Sequence, residues 1–336
     1  MQLLFELSKE HTTLPAAEAI ASMNAEELKT KIISSTEDIL LVETQTNNTT
    51  INRISQRLAY SFMIDELLFS CPATLDIILR NARNHPITAE GSIAIRCKNR
   101  SKHIDSELFI DQLGDVYTKD RPVNLTKPDI ELRAVITENT AYLGIKKAAI
   151  NTSHFQQRRG HLRPFLSPIT LHPKIARAMV NLTQVKKQQT LLDPFCGTGG
   201  ILIEAGLLGV KVIGSDIEQK MIDGSRKNLD FYQIKKYHLF CTDIANIIRY
   251  TPSVDAIATD FPYARSTTTK GEKLSTLYHR AFETIADVLK KEKYAVIGVS
   301  NQEIRTIGEQ YLSLIGTYAI KSHRSLTRYF VVYKNG

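Results

Sequence analysis

The sequence predicts an α/β chain, with a parallel-sheet domain in its C-terminal half preceded by a smaller α+β portion. Three observations carry this. Four short apolar runs, Leu191-Leu192, Val210 to Ser215, His238 to Cys241 and Ala256 to Ala258, read as buried strands. Longer helix-forming stretches lie between them, which is the β-α-β rhythm of a parallel sheet. An acid stands at or just after each strand end: Asp193, Asp216, Asp243 and Asp260. At 336 residues and 43% hydrophobic content the chain has room for two or three domains with substantial cores.

The N-terminal half mixes helices and strands. Pro15 to Ser22 reads as an amphipathic helix, Asp38 to Glu43 as a strand, and Asn52 to Phe69 as a long helix that Pro72 closes. Residues 73 to 150 continue the mixture. Asp129 to Ile136 alternates as a half-buried strand should. Downstream, Gly199 to Ala205 starts a helix, Lys273 to Leu289 reads as another, and Tyr294 to Val299 as the next buried strand.

Composition narrows the function classes. No apolar run is long enough to span a bilayer, and Met1-Gln2-Leu3-Leu4-Phe5-Glu6 lacks a signal-peptide layout, which predicts a soluble cytoplasmic protein without a membrane partner. Cys71, Cys97, Cys196 and Cys241 show no C-x-x-C spacing, so they predict buried thiols and no metal or disulfide framework.

Chemistry concentrates in two strings. The first is Asp193-Pro194-Phe195-Cys196-Gly197-Thr198-Gly199-Gly200. Its glycines permit the positive φ angles of a tight strand-to-helix turn, as in any Rossmann-like unit. Asp193 discriminates. A carboxylate there would repel a pyrophosphate at the helix N-terminus, and Leu202 stands where the dinucleotide fingerprint needs glycine. An acidic Gly-rich loop suits a cationic cofactor instead, and S-adenosylmethionine carries an ammonium and a sulfonium. Asp216 is then the expected ribose ligand, and Asp243 an acceptor for the adenine amino group.

The second string, Asp260-Phe261-Pro262-Tyr263, points to methylation of a planar exocyclic amine. Such an amine is a poor nucleophile because its lone pair is delocalised into the ring. Asp260 accepts one of its N–H groups. The backbone carbonyl of Phe261 accepts the other, held by the extended conformation that Pro262 imposes on the residue before it. Tyr263 offers a face for an extruded base. No cysteine follows Asp260, so the expected reaction is direct in-line displacement without a covalent intermediate.

Asp193 to Gly200 and Asp260 to Tyr263 resemble motifs I and IV of the class I amino-methyltransferases, whose second signature is [N/D]-P-P-[Y/F]. Phe261 stands in place of the first proline and Ala264 where a glycine commonly follows, departures that would alter pocket width or base placement. The run from Asp260 to Thr268, the segment from Arg163 to Leu182, and the terminal His323 to Arg328 are similar to the archaeal tRNA guanine N2-methyltransferases acting at position 10. That resemblance implies a ferredoxin-like domain over residues 1–70, a THUMP domain over 71–150, a basic linker over 151–170, and a Rossmann-like methyltransferase domain over 171–336, whose parallel sheet holds one antiparallel strand. It implies one or two methyl groups passing from S-adenosylmethionine to guanine N2 of a tRNA anchored by its CCA end. The residues it implies are Asp260, Phe261, Pro262 and Tyr263 for catalysis and Asp193, Phe195, Gly197, Gly199, Asp216, Ile217, Asp243 and Ile244 for the cofactor. Arg265, Arg324 and Arg328 fall to tRNA.

Charge distribution adds further candidates for tRNA contact. The net charge is +8, and from Asn139 to Leu192 there is no Asp or Glu, while nine Lys or Arg and three His occur. Lys146, Arg158, Arg159 and Arg163 in this stretch, and Lys98 and Arg100 in the cluster from Arg96 to His103, are expected on a phosphate-binding surface. Arg265 to Lys273 reads as a lid that orders on tRNA. Three other readings stay open at this point: a DNA adenine N6-methyltransferase, a tRNA-binding protein of weak activity that needs a protein partner, and a nicotinamide oxidoreductase, which Asp193 disfavours.

Overall fold

The computed structural model describes residues 1–167, 170–262, 273–323 and 326–336. Its contacts divide the chain into two compact units, one of residues 1–16, 28–56 and 61–151, the other of residues 17–27, 57–60 and 152–336.

In chain order the elements up to residue 151 are β1 (Gln2–Leu7), α1 (Leu14–Ala25), β2 (Thr30–Ser35), β3 (Ile39–Thr44), α2 (Asn48–Arg57), β4 (Ser61–Pro72), α3 (Leu75–Asn84), β5 (Ile93–Asn99), α4 (Ser106–Tyr117), β6 (Ile130–Ile136) and β7 (Thr140–Ala149). The seven strands form one sheet in the order β2-β3-β1-β4-β7-β6-β5. A boundary at residue 70 therefore falls inside a continuous sheet, because β4 pairs with β1 on one side and β7 on the other.

β4 corrects the long helix expected from Asn52 to Phe69. The helix α2 ends at Arg57, and Ser61 to Pro72 is extended. Its run of apolar residues fits both periods, and the sheet decides, since a strand with two neighbours satisfies its backbone on both edges. Asp65 of this strand is buried and accepts from Arg133 Nη1 at 2.8 Å, while Arg133 also meets Glu6. Burial pushes the Asp65 carboxyl up to about 6 against that pairing.

The second unit contains α5 (His154–Gln157), α6 (Pro173–Leu182), β8 (Thr190–Asp193), α7 (Gly200–Gly206), β9 (Lys211–Asp216), α8 (Gln219–Phe231), β10 (Tyr237–Cys241), β11 (Val254–Asp260), α9 (Leu274–Val288), β12 (Leu289–Val299), α10 (Gln302–Gly308), β13 (Ser313–His323) and β14 (Leu326–Lys334). Its sheet runs β10-β9-β8-β11-β12-β14-β13. All neighbours from β10 to β12 are parallel, and β14 is antiparallel to both β12 and β13. The expected parallel sheet with one antiparallel strand is thus present. Strand order reverses beside β8, so β8 and β11 open a crevice at their carboxyl ends where ligands of such sheets bind.

Residues 17–27 and 57–60 belong to this second unit through buried polar contacts. Glu18 accepts from the backbone N of Ala59 and Tyr60 at 2.9 and 2.8 Å and from Asn181 Nδ2 at 2.8 Å. Arg57 donates to the carbonyl of Val185 at 2.7 Å. No helix among the described residues is long and apolar enough to cross a membrane.

Candidate active site

The loop from Asp193 to Gly200 leaves β8 and enters α7. Gly197 and Gly199 hold φ of +49° and +79°, the left-handed region in which a side chain is strained. At Gly197 a Cβ would meet nothing within 4 Å, so this turn faces open space. Asp216, at the end of β9, fixes the loop by accepting from Gly197 N with one carboxyl oxygen and from Glu218 N with the other, each at 3.0 Å. Asn228 of α8 donates to the carbonyls of Thr198 and Phe165 and accepts from Phe165 N, all at 2.9 Å.

Asp193 is 2% exposed. Its Oδ1 accepts from Phe195 N at 3.2 Å and from Thr259 Oγ1 at 2.7 Å. Burial pushes its carboxyl up to about 7; those two bonds oppose the shift, and the charges of Asp260 and Asp216 add to it. Burial likewise raises Asp216, against its backbone hydrogen bonds. A ligand cation would relieve both. An open glycine turn lined by two destabilised carboxylates fits the ammonium, sulfonium and ribose of S-adenosylmethionine and does not fit a pyrophosphate.

Asp260 ends β11, one strand from Asp193. Phe261 N donates to the carbonyl of Gly298 at 2.9 Å, and Tyr278 Oη of α9 donates to the carbonyl of Pro262 at 2.9 Å, which pins the turn from two sides. The Phe261 side chain lies in the core. It is 1% exposed, stacks on Tyr278 with ring centroids 5.5 Å apart, and meets Phe195 and Phe282 edge-on. Phenylalanine at this position, where the resembled signature has proline, therefore fills the core and packs against Phe195 of the glycine loop. Tyr263, Ala264, Arg265 and the lid expected from Arg265 to Lys273 lie outside the described residues, apart from Lys273 itself, as does Arg324.

Other expected residues have occupations of their own. Asp243 accepts from Ala245 N at 2.9 Å, starting a 3-10 helix at Ile244–Arg249, and pairs with Arg280 at 2.7 Å. Ile244 is buried in the core cluster, whereas Ile217 is half-buried at the strand end.

Several cations expected on a phosphate surface are engaged elsewhere. Arg158 forms a two-pronged pair with the buried Glu204, at 2.7 and 2.9 Å. Arg163 is 4% exposed and donates to the carbonyl of Arg158. Arg100 pairs with Asp38 and Glu6, Lys146 with Glu131, and Arg328 with Asp260. For Arg158, Arg100, Lys146 and Arg328 an acid distant in sequence lies beside the cation, whereas Arg163 meets a backbone carbonyl. Lys98 and Arg159 are exposed.

Thr259, Tyr278, Gly298 and the inward role of Arg328 were beyond sequence reasoning. Only Thr259 carried a local signal, as the neighbour of Asp260.

A model of the RMKL-like methyltransferase domain matches residues 160–327, and a THUMP domain model matches residues 76–146. The tRNA (guanine(10)-N2)-dimethyltransferase of Methanothermobacter thermautotrophicus is 34% identical over 98% of both chains. The enzyme of that name from Pyrococcus abyssi is 36% identical over 71% of each. Among solved structures, TrmN from Thermus thermophilus aligns over 99% of this chain and all of its own with a TM-score of 0.53 at 16% identity, a likeness of fold. The acidic glycine loop, the Asp-Phe-Pro turn and the strand order are those of a class I amino-methyltransferase, and with these matches the chain belongs to the THUMP-bearing tRNA guanine N2-methyltransferase family.

Proposed function

We propose that this chain is a cytoplasmic enzyme that methylates the exocyclic N2 of a guanine in tRNA, at position 10, adding one or two methyl groups. The carrying observation is Asp260, held at the carboxyl end of β11 one strand from the cofactor loop, with Phe261 N bound to β12 and Pro262 O bound to α9. S-adenosylmethionine, when bound, supplies an electrophilic methyl group on a sulfonium. Asp193 would hold its ammonium, Asp216 its ribose hydroxyls and Asp243 its adenine amino group, with Phe195, Gly197, Gly199, Ile217 and Ile244 shaping the remainder.

Asp260 accepts a hydrogen bond from one N–H of the guanine amine and the Phe261 carbonyl accepts the other, which draws the lone pair out of conjugation. Orientation and these preorganised acceptors supply most of the acceleration. As the methyl carbon passes to N2 its bond to sulfur would break and leave a neutral thioether, and N2, cationic once methylated, would shed a proton to Asp260 and on to water. Asp260, Phe261, Pro262 and Tyr263 make up the catalytic set. We assign residues 71–150 to anchoring the tRNA, residues 171–336 to the chemistry, and Lys98 and Arg159 to phosphate contact.

The test is transfer of labelled methyl from S-adenosylmethionine to an unmodified tRNA transcript, followed by nucleoside analysis. N2-methylguanosine or its dimethyl form is the expected product. N6-methyladenine in a DNA acceptor, with no label in tRNA, would overturn the reading.

A further inference from the structure

The cation that meets Asp260 comes from the antiparallel strand. Because β14 runs against β12, its first residues lie at the edge where β8, β9 and β11 end. Arg328 belongs to that stretch, two residues before Phe330, which pairs with Gly298, and Gly298 pairs with Asp260. A Cβ at Gly298 would stand 2.3 Å from Asp260 Oδ1, so the carboxylate extends over a residue that has no side chain. Arg328 Nη1 lies 3.3 Å from Oδ2, with the two side chains 11% and 19% exposed. A guanidinium so enclosed is poorly placed for a phosphate arriving from solvent and well suited to a carboxylate.

We infer that Arg328 is a positioning residue for methyl transfer, holding Oδ2 of Asp260 so that the carboxylate meets the guanine amine in one orientation. The inference rests on the reading of Asp260 as the amine's acceptor. A carboxyl torsion is broad when nothing holds it, whereas an acceptor in a reacting site must be kept within about 0.5 Å of its productive position. Arg328 supplies that restraint, and Gly298 supplies the room.

The experiment compares Arg328→Gln, Arg328→Lys, Asp260→Asn and the Asp260→Asn/Arg328→Gln double variant in the full chain. Single-turnover methyl transfer is measured beside tRNA affinity at several salt concentrations and S-adenosylhomocysteine affinity by calorimetry. Arg328→Gln should slow transfer by roughly 100-fold, the scale of losing one preorganised group, with both affinities and the salt slope unchanged. Arg328→Lys should recover part of the rate. In the Asp260→Asn background the same change should cost less than about threefold, since residues acting as a unit are non-additive. Equal losses in both backgrounds would overturn the inference. So would a retained rate with weaker tRNA binding and a salt slope reduced by about 1, the mark of a phosphate contact. A wild-type chain that methylates no guanine would instead remove the functional reading itself.

Discussion

Thr259 Oγ1 donates to Asp193 Oδ1 at 2.7 Å, so the residue next to Asp260 holds the first residue of the glycine loop. β8 and β11 are adjacent parallel strands, and this bond joins their ends. Both residues are buried, and the bond couples the two halves of the site through one hydroxyl.

Thr259→Val keeps the shape of the side chain and removes the donor. Loss of a partner by a buried acceptor costs about 1–3 kcal/mol. Thermal denaturation should show a melting temperature lowered by several degrees, about 2–4 °C per kcal/mol for a domain of this size. S-adenosylhomocysteine should bind more weakly, because Asp193 loses one of its two supports.

Asp193 makes stability and cofactor affinity depend on pH in opposite senses. Its folded value of about 7 lies above the ordinary carboxylate value. Between about pH 4 and 7 the unfolded chain therefore binds fewer protons than the folded one, and this group's contribution to stability falls as pH rises, then levels off. A bound ammonium favours the ionised form, so S-adenosylhomocysteine affinity should rise through the same range, by up to about tenfold per unit. Asp193→Asn should flatten both profiles, gain stability at pH 8 and bind the ligand poorly. Calorimetry and melting curves from pH 5 to 8 check this, and unchanged slopes would refute it.

Asn228 is buried and makes three hydrogen bonds that join the Phe165 backbone to the glycine loop at Thr198. Asn228→Ala leaves those buried backbone groups without partners. Cofactor affinity should fall by at least about tenfold, consistent with loss of more than about 1.4 kcal/mol, while tRNA affinity is unchanged. Titration with S-adenosylhomocysteine and with tRNA separates the two.

Arg158 and Arg159 are neighbours with opposite fates. Arg158→Ala removes one of the two guanidinium partners of Glu204, a carboxylate with no exposure that keeps Arg177 at 2.9 Å, and should destabilise the fold by about 1–3 kcal/mol. Arg159→Ala should leave the melting temperature within about 1 °C and lower the salt slope of tRNA binding by about 1, since surface substitutions rarely exceed about 0.5 kcal/mol. Melting curves and salt titrations of the two single variants would expose any exchange of roles.

The sequence by itself determined the chemistry of the strand ends. Asp193, the glycines after it, Asp216 and the Asp260-Phe261-Pro262 turn are local features, in which backbone conformation and charge are set by residues a few positions apart. The β-α-β rhythm that brings them to one edge is written in the same short-range pattern. Tertiary structure alone decided the rest, since ion pairing, facing and strand neighbours depend on residues far apart in sequence. Arg158 reads as a surface cation until Glu204 lies beside it, and the pairing of Arg328 with Asp260 emerges only because β14 runs antiparallel past Gly298. Phe261 reads as a departure at the pocket, and the fold buries it in the core against Tyr278. The run from Ser61 to Pro72 fits helix and strand equally in isolation, and only β1 and β7 on its two edges, which satisfy its backbone, make it a strand.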